Sequence, residues 1–204
     1  MATLVTDPDL AEQLIKDRKF RGIDQRDEVW EGVYVMTPAP NDEHQDLVGG
    51  FTHVLRETID HCQLGKSRPG VNLSDRVEDW TRNFRCPDVV VFLNDTTAEF
   101  HNTFWLGGPD LAIEVVSPED QSREKLSFYE KIGTRELLIV DRDPWQLELH
   151  RLAGKKLVLA GTSTLADPVW LVSETVPLKL RLQPDEKRPV IELVTSNNEK
   201  KWRI

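Results

Sequence analysis

Two apolar stretches of the sequence each carry a single acid: Glu114 within LAIEVV, and Asp88 at the head of VVVFL. An ionised carboxylate among Ile, Val and Phe side chains is costly to desolvate, so such a group has a cation, a metal ion or a hydrogen-bond donor facing it. If both stretches are strands and lie side by side, about 4.8 Å separates them, and Asp88 and Glu114 can place oxygens on one hard cation. Magnesium suits that donor set, because it takes one or two carboxylates and leaves coordination positions for water and phosphate. Asp110 shares the strand face of Glu114 but stands four residues away, roughly 13 Å at about 3.3 Å per residue, which is too far to share an ion. The plainer readings are a turn residue after Pro87 for Asp88 and a salt-bridged core acid for Glu114. Lys125 adds to the chemistry. With Phe128, Tyr129 and Ile132 it is spaced i, i+3, i+4, i+7, so on a helix it shares the apolar stripe that faces the sheet. A lysine aimed there can neutralise a developing oxyanion or activate a water; its plainer reading is a stem laid over apolar surface with the amine in solvent.

The elements that must hold these groups follow from pattern. Residues 85–93 and 110–116 are nearly continuous apolar runs bounded by Pro and Gly, as expected of central strands covered on both faces. A helix over residues 118–132 ends at Gly133, with Ser117-Pro118 as strand end and helix start, and a strand follows at 136–141. Strand, helix, strand in that order implies a crossover and a partly parallel sheet. Upstream, a short helix is expected over residues 8–19, followed by an irregular charged stretch. Residues 29–36 read as a strand with Gly32 as a turn or bulge. Asn41 caps a helix whose apolar positions Leu47, Val48, Phe51, Val54, Leu55 and Ile59 form one stripe, ended by Gly65, Pro69 and Gly70. Downstream, LELHRL and KKLVLA flank Gly154 as a hairpin, and the charged tail from Pro184 reads as peripheral.

The runs PDVVVF and GGPDLAIEVVSPEDQSREKLSFYEKIGTRELLIVD, preceded by EVWEGVYVMTPAPNDEH, resemble the Uma-type putative restriction endonuclease family of bacteria, a branch of the PD-(D/E)xK nuclease superfamily. The resemblance runs over residues 28–141. It implies a restriction-endonuclease-like α/β/α core with a mixed central sheet, a divalent metal and phosphodiester hydrolysis. By position, Pro87-Asp88 is the PD element and Glu114 the following acid. Val116 stands where the superfamily lysine is expected, and in this branch the lysine comes from the next helix, which matches Lys125. Leu137-Leu138 replaces the family's tyrosine-tryptophan pair. Glu28 and His44 match the N-terminal Glu and His positions. Glu28 is then a third metal-side acid or a solvated strand end, and His44 a catalytic or a capping histidine. Tyr129 either orients Lys125, touches phosphate or packs in the core.

The whole chain bounds these readings. Its 204 residues, 39% hydrophobic and 30% charged, can bury a full core in one α/β (α+β) domain, 1–204, with a core at about 28–141 and a peripheral β region at about 145–194. The longest apolar runs, 89–93 and 137–140, are far short of the ~20 residues a membrane helix needs. No secretory signal is visible at the N-terminus, and Cys62 and Cys86 fit free thiols, so a cytoplasmic location is expected. A formal charge of −9 opposes a nucleic-acid partner, although residues 61–86 carry Lys66, Arg68, Arg76, Arg82 and Arg85 against Asp75, Glu78 and Asp79, locally +2. That stretch is either an ordinary solvated loop or a basic rim over a cleft. The expectation is a Mg2+- or Mn2+-dependent endonuclease acting on DNA as a homodimer, with Asp88 and Glu114 on the metal and Lys125, Glu28 and His44 as further catalytic residues. Its rival is an inactive nuclease-fold protein used as a binding or assembly module.

Overall fold

The computed structural model describes residues 2–116 and 122–204. Its central element is a six-stranded sheet in the order Lys156–Thr164, Trp145–Ala153, Glu136–Arg142, Leu111–Val115, Val89–Leu93, Gly65–Pro69. Leu111–Val115 and Glu136–Arg142 run parallel, and every other neighbouring pair is antiparallel. Parallel neighbours need a crossover, and helix α3 (Leu126–Ile132) belongs to it. The fold is the mixed α/β (α+β) arrangement expected. Its central strands are apolar on both sides because both sides are covered. Leu111, Ile113 and Val115 join one core with Leu47, Phe51 and Val54 of helix α2 (Asp42–Leu55), while Ala112 and Val116 join the other with Phe128 and Tyr129 of α3.

Helix α2 starts where its cap predicts: the side-chain oxygen of Asn41 accepts from the backbone N–H of His44 at 2.9 Å. It runs on through a π-helical turn, Arg56–Asp60, that buries Ile59. The 14-residue N-terminal helix, α1 (Pro8–Arg21), is capped by Asp7. The region read as one strand from 29 to 36 is a hairpin, Glu28–Trp30 with Val33–Met36, closed by Glu31 and Gly32 at φ +47° and +89°. Both turn residues are left-handed, and such a turn matches the twist of the strands it joins. The expected strand over 85–93 also divides. Phe84–Arg85 pairs beside the hairpin in a second sheet, and Val89–Leu93 lies in the central sheet, with Pro87 at the break.

Other expectations are corrected. The residues Gly65, Pro69 and Gly70, read as helix stops, bracket the edge strand Gly65–Pro69, which pairs with Val89–Leu93. GKSRP lacks β-branched and aromatic residues, so nothing in its composition marks a strand, and an edge is where proline is tolerated. The hairpin around Gly154 is no appendage: it extends the central sheet beyond Glu136–Arg142. Nor is the tail peripheral. Val190–Thr195 and Lys201–Arg203 belong to a third sheet whose Leu178, Leu180, Leu182, Ile191 and Leu193 share the core of α2. The short apolar run VIELV was hidden between the charged stretches on either side of it. The expected helix over 118–132 is, within the described residues, a 3-10 turn, Ser122–Lys125, leading into α3; the predicted start at Ser117-Pro118 lies outside them. No helix among the described residues is long and apolar enough to cross a membrane.

Candidate functional site

Register brings the two strand acids together. Ile113 pairs with Val89 in the antiparallel ladder, so the next residues along, Glu114 and Asp88, stand level on adjacent chains. Asp88 Oδ2 accepts from the backbone N–H of Val115 at 2.8 Å. Both carboxyl groups are buried. The 3-10 turn preceding α3 delivers Lys125, whose Nζ lies 3.1 and 3.2 Å from the two oxygens of Glu114. The same Nζ donates to Glu28 Oε1 at 2.9 Å. With its side chain only 11% exposed, Lys125 points at acids rather than at solvent.

Glu28 is not a solvated strand end. It is buried in the hairpin, where Oε2 accepts from Trp30 Nε1 at 2.6 Å and Oε1 also accepts from the Cys86 N–H at 2.9 Å. Arg85 backs this arrangement, its guanidinium stacked 4.7 Å from the Trp30 ring and 4.4 Å from that of Phe128. His44, carried into place by the first turn of α2, puts Nε2 2.9 Å from Asp88 Oδ1. That contact assigns the proton to Nε2, leaving Nδ1 as a buried atom without a hydrogen-bond partner among the described residues. Tyr129 both packs and bonds: it is fully buried, and its hydroxyl donates to Glu114 Oε1 at 2.5 Å.

Sequence reasoning missed Arg26. Its Nη1 sits 2.5 Å from Asp88 Oδ1 and 3.4 Å from His44 Nε2. It comes from the irregular loop between α1 and the hairpin, which has no periodicity to read. The loop is fixed through Asp27, which takes Arg18 Nε at 2.6 Å, the Thr37 N–H at 2.9 Å and the Tyr34 hydroxyl. Asp110, set aside at the sequence level, is elsewhere, accepting from Arg135 and the Leu93 N–H. The cations of 61–86 are largely committed within the protein: Arg68 to Asp60, Arg76 to Asp75 and Glu31, and Arg85 in the interior.

Three buried acids thus meet two cations, Lys125 and Arg26, for a formal charge of −1 when all are ionised. Burial pushes the Glu114 carboxyl up to about 8, helped by the charges of Asp88 and Glu28 against the opposing pull of Lys125 and Tyr129. Burial works upward on Asp88 too, but His44, the Val115 N–H and Arg26 overturn it, and its pKa falls below the usual value. Cys86 is pushed up to about 12 by burial and the charge of Glu28, which keeps it a thiol. The donor set fits a hard divalent ion: buried carboxylate oxygens from two adjacent strands. Among the described residues no three His, Cys, Asp or Glu side chains already converge as metal ligands, because the acids face Arg26, His44, Lys125 and Tyr129.

Residues 12–185 match the family described as "Uma2: Putative restriction endonuclease". The chain belongs to the Uma2 family. Its fold is also similar to the solved structure of a putative nuclease belonging to DUF820 from Anabaena variabilis ATCC 29413. The two have a TM-score of 0.56 and 18% sequence identity, over 72% of this chain and 80% of that one. Among curated proteins none matches the chain. Uma2 membership and a nuclease-like fold together support a nuclease. In this Uma2 member, the five residues expected at the site fall into two hydrogen-bonded groups on adjacent strands: Asp88 with His44 and Arg26, and Glu114 with Lys125, Glu28 and Tyr129.

Proposed function

We propose that this protein is a Mg2+- or Mn2+-dependent endonuclease that hydrolyses DNA phosphodiester bonds, with Asp88 and Glu114 as the metal ligands. The observation that carries the reading is the meeting of two buried acids from adjacent strands with a lysine from the crossover. An ion held there supplies, when bound, Lewis acidity at the scissile phosphate and a water of lowered pKa. Lys125 would set a positive charge beside the oxygens on which negative charge builds in the transition state. Glu28 and Tyr129 fix where the lysine and Glu114 stand. His44 and the Val115 N–H orient the Asp88 carboxylate. Asp88, Glu114 and Lys125 are the catalytic groups proper; Glu28 and His44 position them. Cutting both strands of a duplex suits a two-fold pair of such sites, so a homodimer belongs to the same proposal.

Supercoiled plasmid tests it. Wild type with Mg2+ or Mn2+ is expected to nick the plasmid, and Asp88→Asn, Glu114→Gln and Lys125→Ala are each expected to lower the rate at least about a hundredfold, as for loss of a group acting on transition-state charge. Nicking that persists in all three variants would show that the chemistry lies elsewhere. Plasmid left intact by the wild type would favour the binding-module reading, which the net charge of −9 and Val116 at the lysine position also favour.

A further inference from the structure

Both oxygens of Asp88 are already in use. Oδ2 accepts from the Val115 N–H, while Oδ1 accepts from His44 Nε2 and Arg26 Nη1. Oδ1, with two donors, has no acceptor position left, so a metal ion that takes this oxygen must displace one of them. The Val115 N–H is part of a central strand, and the His44 ring is buried and held by the first turn of α2. Arg26 differs from both: its side chain is 27% exposed and it stands on a loop. That loop is pinned at either side, by Arg18 Nη2 donating to the Ile23 carbonyl at 2.8 Å and by the Asp27 network, so the side chain can pivot while its Cα stays. An ion and a guanidinium cannot comfortably share one carboxylate oxygen at contact distance, and an arginine cannot relieve the repulsion by losing its proton. It can only move. The direction open to it is toward solvent, to which its side chain is already partly exposed.

Resting on the metal site proposed above, we infer that Arg26 is a substrate-binding residue that changes partner. It neutralises Asp88 until a divalent ion takes Oδ1, and it then grips the non-bridging oxygens of the DNA phosphate held at that ion. The planar fork of the guanidinium matches a phosphate as well as a carboxylate, so one side chain serves both partners. Lys125 has no such freedom, being largely buried and bonded to Glu28 and Glu114.

The inference requires that one substitution move two affinities in opposite directions. Mn2+ binding is measured calorimetrically on the full chain, and binding of a labelled DNA duplex by fluorescence anisotropy in Ca2+. Arg26→Gln is expected to bind Mn2+ about tenfold more tightly, its competitor gone, and the duplex about tenfold more weakly, one charge-assisted contact gone. A merely structural arginine would weaken both. Mn2+ affinity unchanged or reduced in Arg26→Gln, or duplex affinity unchanged, overturns the inference while leaving the metal site standing. Mn2+ binding that survives Asp88→Asn, or that no form of the protein shows, overturns the metal site itself. Arg26→Lys, which keeps the charge on Asp88 but lacks the fork, carries the test should the glutamine variant not fold. Weaker duplex binding at unchanged Mn2+ affinity supports the inference, and unchanged duplex binding overturns it.

Discussion

Burial holds the Glu114 carboxyl well above the ordinary carboxylate range, and that has a thermodynamic sign. Its carboxyl ionises near 4.5 when unfolded and near 8 in the folded site. Between those values the native state holds a proton that the unfolded chain has lost, so this group makes stability fall as pH rises through the window, opposite to an ordinary ion-paired acid. A metal that binds the carboxylate must expel the proton. Mn2+ binding is thus expected to release about one proton at pH 6.5 and almost none at pH 9, with affinity rising about tenfold per pH unit below 8. Calorimetry in buffers of differing ionisation enthalpy measures this, and Glu114→Gln should abolish the dependence; a proton count near zero at pH 6.5 in the wild type would remove Glu114 from the ligands. Asp88, Glu114 and Lys125 were legible because an acid in an apolar strand and a lysine on an apolar stripe each break a pattern. Glu28 and His44 were legible only through the family resemblance. Arg26 and the Trp30–Glu28 bond broke no pattern, since their positions arise when distant segments meet.

Elements set the precision with which these groups meet, and two glycines separate packing from propensity. A Cβ on Gly108 would come within 2.3 Å of the Thr134 nitrogen, at the end of α3, the helix whose entry carries Lys125. Backbone cannot give way there as a flexible side chain would, so Gly108→Ala is expected to cost about 2 kcal/mol and to weaken Mn2+ binding by shifting Lys125. Gly49 lies on the exposed side of α2 with nothing within 4 Å of an added Cβ. There alanine improves helix propensity, and Gly49→Ala is expected to stabilise by about 0.5–1 kcal/mol with metal binding unchanged. Thermal unfolding of the two variants checks both signs, and equal effects would contradict the packing described. Strong one-sided periodicity made α2 readable, and unbroken apolar runs made the two central strands so. The edge strand Gly65–Pro69 and the break at Pro87 were not, because an edge demands little of its side chains and a change of sheet leaves the local pattern intact.

For the molecule as a whole, the difficulty is a net charge of −9 facing a polyanion. The locally basic stretch 61–86 offers less relief than its composition suggests, since Arg68, Arg76 and Arg85 are spent on Asp60, on Asp75 and Glu31, and on backbone carbonyls. Lys66 and Arg82 remain exposed there. Composition counts charges, whereas folding decides which of them face outward, and that part of the reading could not be made without coordinates. If DNA is recruited chiefly by the divalent ion with Arg26 and these two side chains, few counterions are displaced on binding. At about −0.9 per phosphate contact, three such cations give a log–log dependence of affinity on NaCl with slope of roughly −3. Anisotropy titrations of a duplex in Ca2+ over a range of NaCl concentrations measure it, and chelation of Ca2+ should remove most of the binding. A slope near about −8, or affinity indifferent to the divalent ion, would point to an extended basic surface as the DNA-binding face and would sever substrate recruitment from the acid cluster.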